Sequence, residues 1–115
     1  MTWLSACPLS DLRGGEMRGV VVAGHRVLLV NVKGSLHAFP DRCAHKGVPL
    51  SLGRLQDGVI TCWAHEWQYD ACTGAGINPD DVALLRIPLK VEQGRILIDV
   101  SADPAGAEDG TDDER

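Results

Sequence analysis

The chain has 115 residues, of which 44% are hydrophobic and 23% charged, and this length and composition indicate one globular domain without a separate catalytic domain. Six of its 16 acidic residues lie in 101–115 beside a single basic one, so the net charge of −5 belongs to that segment. The absence of a basic cluster argues against nucleic acid as a partner. With no membrane-length apolar run and no export signal in 1–15, we expect a cytoplasmic protein without a membrane anchor.

The first part of the chain predicts short strands, because its apolar runs are brief and are separated by glycine. In chain order we expect a strand at 3–6, a loop at 9–15, a hairpin of 20–22 with 27–30, and a strand at 36–39. The hairpin turn is Ala23-Gly24-His25-Arg26, and Lys33-Gly34 makes the next turn.

The later part continues in the same way around a second hairpin signal, Asp57-Gly58. The predicted elements are strands at 52–55, 59–61 and 67–70, a loop at 71–81, and strands at 84–87, 89–92 and 95–100, the last two joined by Gln93-Gly94. The pattern predicts an antiparallel all-β domain over 1–100. The acidic segment 101–115, rich in Gly and Ala, is predicted to be a disordered tail.

Two short boxes interrupt the strands, Cys43-Ala44-His45 and Cys62-Trp63-Ala64-His65, with 16 residues between them. Buried small residues, a disulfide and a structural zinc site are the alternatives for such residues. Zinc sites usually take like ligands from each box, whereas each box here is mixed, which suits a dinuclear cluster. Two Cys and two His are the ligand set of a Rieske [2Fe–2S] centre. We therefore predict one such cluster per chain, with a zinc-stabilised interaction module as the alternative.

Residues beside the boxes are candidates for supporting roles. Backbone N–H groups of Gly47 and Val48 could donate to cluster sulfur, although Gly47 equally suits a plain turn. Trp63 could either shield the cluster or contact a partner. The charges of Lys46 and Glu66 could orient that partner. We expect Trp67 in the core, His25 and His37 to be ordinary residues, and Cys7 and Cys72 to be thiols that do not ligate.

The segments Val59-Ile60-Thr61-Cys62-x-Ala64-His65-x-Trp67 and Gly74-x-Gly76-Ile77-Asn78-Pro79-Asp80-Asp81 resemble the Rieske ferredoxins of toluene- and alkene-type diiron monooxygenases, and the similarity runs over 3–100. The resemblance implies an antiparallel β-sandwich with a cluster-binding subdomain at about 40–81 and a proline loop, with Pro79, over the cluster. It also implies that Cys43 and Cys62 hold the inner iron, and His45 and His65 the outer iron near the surface.

The same resemblance implies a function: a monomeric, non-catalytic carrier of one electron. The expected partners are an NADH-dependent flavin or iron–sulfur reductase and a diiron hydroxylase. A ferredoxin of a ring-hydroxylating dioxygenase, or a nitrite reductase small subunit, is the alternative.

Departures from the respiratory Rieske proteins set an expectation for the reduction potential. Val48 and Ala64 stand where those proteins have a disulfide, and Trp67 stands where they have a serine that bonds a bridging sulfide. Tyr69 is retained. Losing the serine hydroxyl predicts a potential in the lower part of the Rieske range of roughly −150 to +300 mV.

Overall fold

The computed structural model describes residues 2–43, 47–64 and 66–102. In this part of the chain, ten strands form three antiparallel sheets, in the orders β1-β10-β9, β2-β3-β4 and β5-β6-β7-β8. The strands are β1 Leu4–Pro8, β2 Met17–Val22, β3 His25–Val32, β4 Ser35–Pro40, β5 Arg54–Gln56, β6 Val59–Thr61, β7 Gln68–Asp70, β8 Gly76–Asn78, β9 Leu89–Glu92 and β10 Arg95–Ile98. Short 3-10 helices cover Leu9–Asp11, Leu50–Leu52 and Val100–Ala102.

Strand β3 lies at the centre, because its side chains serve two cores on opposite faces. Successive residues of a strand point to opposite sides, and Val27 and Leu29 enter one cluster while Leu28 and Val30 enter the other. The first core, toward β1 and β10, comprises Cys7, Leu12, Val22, Val27, Leu29, Ala38, Ile87, Ile96, Ile98 and Val100. The second core, toward β6 and β7, comprises Leu28, Val30, Phe39, Cys43, Leu50, Ile60, Cys62, Tyr69, Ala71 and Leu84. This double burial explains the uninterrupted apolar run at 27–30.

Four tight turns join the hairpins as predicted. Ala23-Gly24, Lys33-Gly34, Asp57-Gly58 and Gln93-Gly94 each have positive φ at both positions. Two such residues form the turn whose twist matches the flanking strands, and glycine adopts this conformation without steric cost. The Asp57-Gly58 turn pairs β5 with β6. The other edge of β6 pairs with β7, and Ile60 lies opposite Tyr69 beside the second box.

Three of the predicted elements are wrong. Residues 84–87 form no strand, because Leu84 N–H donates to Gly74 and Ile87 N–H to Ala38, so the segment is shared between two neighbours. Strand β8 lies within the predicted loop 71–81, where it pairs with β7. Leu52 belongs to a 3-10 helix, and β5 begins two residues later.

The predicted all-β sandwich is confirmed by these sheets. The β5–β8 sheet lies within the predicted subdomain of about 40–81, whose limits remain a prediction. Ser101 and Ala102, the first residues of the predicted tail, are in a 3-10 helix, and the rest of that prediction lies outside the described residues. Within the described ranges, no helix is long and apolar enough to cross a membrane.

Candidate metal centre

Two loops with the same backbone hydrogen bonds present Cys43 and Cys62. In the first, Cys43 N–H donates to the Val48 carbonyl at 2.8 Å, and Gly47 N–H donates to the Cys43 carbonyl at 2.8 Å. In the second, Cys62 N–H donates to the Trp67 carbonyl at 2.8 Å, and Glu66 N–H donates to the Cys62 carbonyl at 3.0 Å. The two turns are therefore equivalent, although the Cys–His spacing differs between the boxes.

The equivalence extends to the residue four places after each cysteine. Gly47 has φ of 73° and Glu66 has φ of 58°. This left-handed conformation turns the chain back toward the cysteine, at little cost for glycine and with strain for glutamate. The sequence marks the first position by its glycine and gives no sign of the second.

Both cysteines are buried in the second core, with 3% of Cys43 and 1% of Cys62 exposed. All four cysteines of the chain lie in the described ranges, and none forms a disulfide. The Tyr69 hydroxyl lies 3.3 Å from the Cys43 sulfur, and the Tyr69 side chain is completely buried. Because a metal-bound thiolate carries no proton, the hydroxyl would then be the donor. Two buried thiols in one core, one already contacted by a hydroxyl, fit a site that binds metal through sulfur.

The predicted ligand set contains two histidines in addition to the two cysteines. His45, His65 and the neighbouring Lys46 lie outside the described residues. Within the described residues, no group of three or more His, Cys, Asp or Glu side chains is placed to hold a metal ion. The structure thus places the two cysteines in one core, and the two histidine assignments remain predictions.

A cleft of about 330 Å³ opens beside Cys43, on the side of the loop that follows β8. It is lined by Pro40, Arg42, Cys43, Gly47, Ala83 and Leu84. Neither Ala83 nor Leu84 could be recognised as a lining residue from the sequence, because their side chains carry no polar or ligating group and Leu84 begins a predicted strand. Pro79 is half-buried in the same loop, and its predicted place over the cluster remains a prediction.

The three residues that stand where respiratory Rieske proteins have the disulfide and the serine contribute to packing in this chain. Val48, Ala64 and Trp67 are half-buried and pack against the second core, as predicted for Trp67. Trp63 points outward, with 55% of its surface exposed, and Glu66 is also exposed. These two therefore lie at the surface beside the second box, where a partner could reach them.

The remaining cysteines and histidines lie elsewhere. Cys7 belongs to the first core, where burial raises the pKa of its thiol and so lowers its reactivity. Cys72 is half-buried, and its N–H donates to the Asp70 carboxylate. His37 lies on β4, where burial and then the charge of Arg86 lower its pKa.

Comparison with known proteins identifies the domain type. The family model of the Rieske [2Fe-2S] domain matches residues 2–88, which include both boxes and the eight strands β1 to β8. The match therefore covers the second core and the segments that bring Cys43 and Cys62 together.

Individual relatives agree with this match. The chain is 47% identical over 97 residues to the ferredoxin component of the alkene monooxygenase system of Xanthobacter autotrophicus, covering 84% of this chain and 80% of the relative. It is 34% identical over 100 residues to the ferredoxin component of the naphthalene 1,2-dioxygenase system of Pseudomonas putida, covering 86% and 96%. A chain in the complex of reduced oxygenase and oxidised ferredoxin of carbazole 1,9a-dioxygenase superposes with a TM-score of 0.77 at 31% identity, covering 84% and 91%.

Proposed function

Because the chain belongs to the Rieske [2Fe-2S] domain family, we propose that it is the ferredoxin of a multicomponent alkene- or toluene-type monooxygenase. In this role it takes one electron from an NADH-dependent flavin or iron–sulfur reductase and passes it to a diiron hydroxylase. The observation that supports the proposal most strongly is the 47% identity to an alkene monooxygenase ferredoxin over 84% of the chain. The identity to a dioxygenase ferredoxin is lower, at 34%.

The cofactor of the domain is a Rieske-type [2Fe–2S] cluster, which supplies one-electron reduction and oxidation when bound. We assign Cys43 and Cys62 to the inner iron and His45 and His65 to the outer iron. The burial of both cysteines in the second core supports the first half of this assignment. The mixed composition of each box supports the second half, since one ligand of each type can reach each iron. A zinc module is set aside, because the matching family is an iron–sulfur one.

The residues around the sulfurs have separate tasks. Tyr69 donates its hydroxyl hydrogen bond to the Cys43 sulfur, which favours the more negative, reduced state. Gly47 uses its N–H for the Cys43 carbonyl, so Val48 is the stronger candidate for donation to cluster sulfur. With four protein ligands assigned, no position is left for a substrate, so the protein acts as a carrier and not as a catalyst.

Partner contact belongs to the surface beside the second box. Trp63 is the large exposed aromatic there, and an aromatic side chain of this kind often anchors an interface. Glu66, and Lys46 from the first box, would orient the partner by charge. Serving two partners in turn favours small, weak interfaces, and we expect the protein to act as a monomer in the cytoplasm.

Spectroscopy and reconstitution test the proposal. Anaerobically purified protein should contain two irons per chain and, once reduced, should give the EPR spectrum of a Rieske cluster. It should then support NADH-dependent turnover by an alkene- or toluene-type hydroxylase and its reductase. Colourless, zinc-containing protein would contradict the cofactor. Turnover with a ring-hydroxylating dioxygenase alone would favour the second candidate, to which the naphthalene dioxygenase ferredoxin points.

A further inference from the structure

Asp41 is a buried carboxylate that ties together the two ends of the first loop. Only 5% of the residue is exposed. One of its oxygens accepts the Ser51 N–H at 2.8 Å, and the other accepts the Ser51 hydroxyl at 2.7 Å. Asp41 precedes Cys43 and Ser51 follows Val48 and Leu50, so this pair, which we call the Asp41–Ser51 clamp, closes the base of the loop that carries Cys43.

The clamp is seated on the central sheet. Asp41 N–H donates to the Arg26 carbonyl of β3 at 2.9 Å. On β2, Gly19 makes room for the clamp, since a Cβ atom there would lie 2.7 Å from both the Asp41 carboxylate oxygen and the Ser51 hydroxyl oxygen. A carbon atom and an oxygen atom that are not bonded to each other do not approach this closely without a steric clash. The absence of a side chain at Gly19 thus allows the clamp to rest directly on the sheet.

The second loop has no need of such a device. Thr61 of β6 pairs with Gln68 of β7 immediately outside it, so a strand ladder holds its two ends together. The first loop is flanked instead by the end of β4 at Pro40 and by the 3-10 helix Leu50–Leu52. These two elements do not pair with each other. The two loops share one turn but differ in what closes them.

We propose that Asp41, acting through Ser51, is a positioning residue for Cys43 and the first box, replacing the strand pairing that supports the second box. This inference rests on the proposed cluster-binding function. Neither residue touches the cluster in this scheme. The clamp fixes the direction in which the chain presents Cys43, and loss of such supporting contacts commonly weakens metal retention by roughly 10- to 100-fold.

Three variants of the full-length protein test the clamp: Asp41→Ala, Ser51→Ala and Asp41→Asn. Both alanine variants should lose visible absorbance in a chelator roughly 10- to 100-fold faster than the wild type, and should broaden the EPR spectrum of the reduced cluster. Their double variant should be little worse than Asp41→Ala alone, because the hydroxyl contact that Ser51→Ala removes is one of the two that Asp41→Ala already removes. Asp41→Asn should lose the cluster at nearly the wild-type rate, since the new amide carbonyl can accept the Ser51 N–H while its NH₂ donates to the Ser51 hydroxyl. Ser51→Ala keeps the backbone contact and tests the clamp if Asp41→Ala does not fold.

The chain offers a matched control at Asp99. That carboxylate is also buried, at 3% exposed, and also accepts both the N–H and the hydroxyl of a serine, Ser101. Asp99→Ala should lower stability without changing the EPR spectrum or the rate of cluster loss. Equal effects of Asp41→Ala and Asp99→Ala on both readouts, or wild-type retention in both clamp variants, would overturn the clamp while leaving the proposed function intact. A wild-type protein without a cluster would instead overturn the proposed function.

Discussion

At the scale of single residues, the contact between Tyr69 and Cys43 predicts that the tyrosine raises the reduction potential. Tyr69→Phe removes the hydroxyl that lies 3.3 Å from the sulfur and keeps the buried ring. A hydrogen bond of about 0.5–1 kcal/mol that favours the reduced state corresponds to roughly 20–40 mV for one electron, so we expect the potential to fall by that amount. Protein-film voltammetry measures it. Ile60→Val is the control, because it alters the buried residue that pairs with Tyr69 in the same core and removes no hydrogen-bond donor. An unchanged potential in Tyr69→Phe would leave Tyr69 with a packing role only.

The paired left-handed residues predict opposite effects on stability. Gly47→Ala should cost about 1 kcal/mol, because a side chain disfavours this conformation; nothing lies within 4 Å of the added Cβ, so the cost is that of the backbone alone. Glu66→Gly should be neutral or should stabilise by up to about 1 kcal/mol, since it relieves the same strain. Chemical denaturation of both variants measures these changes. If partner docking is what retains glutamate at this position, Glu66→Gly should also slow electron transfer to the hydroxylase.

At the scale of elements, the segment 84–87 affects the titration of His37 on strand β4. Burial, and then the charge of Arg86, hold the pKa of His37 below its ordinary value. As the pH falls, the unfolded chain therefore takes up a proton at this residue before the folded chain does. The contribution of neutral His37 to the free energy of unfolding is therefore fully present above about pH 6.5 and decreases as the pH falls below this value. An NMR titration should place the His37 pKa below that of an exposed histidine, and Arg86→Gln should raise it. Lys90→Gln, which removes a cation that lies over Trp3 instead, should leave it nearly unchanged.

At the scale of the whole molecule, the two faces of β3 separate the core that contains Cys43 and Cys62 from the other core. Leu28 and Leu29 are adjacent and completely buried, but Leu28 packs in the second core with both cysteines and Leu29 packs in the first. Either change to alanine should destabilise folding by roughly 2–5 kcal/mol. Only Leu28→Ala should also accelerate loss of the cluster below the unfolding transition. Equal rates of loss in the two variants would mean that the cores act as one unit.

Most of the strands could be predicted because their signals are local. The Asp57-Gly58 and Gln93-Gly94 turns, and the apolar runs beside them, determine hairpins through neighbouring residues. The strand β8 and the segment 84–87 could not be predicted in this way. Gly76, Ile77 and Asn78 form a strand only because β7 supplies a partner, and Leu84 and Ile87 bond to two different segments, so the sequence of each piece carries little information about its conformation.

The sequence by itself determined the cofactor class, since two mixed Cys and His boxes specify a ligand set by residue type and spacing alone. It also determined the all-β fold, through turn chemistry that acts between adjacent residues. Only the tertiary structure decided how the boxes are supported: that both cysteines share one core with Tyr69, that Gly47 and Glu66 occupy equivalent turns, and that Asp41 reaches Ser51 over Gly19. The core contacts and the approach of Gly19 to the clamp join residues distant in the chain, so their geometry depends on how the sheets pack. The Glu66 turn is local, but its left-handed conformation carries no sign in the residue type.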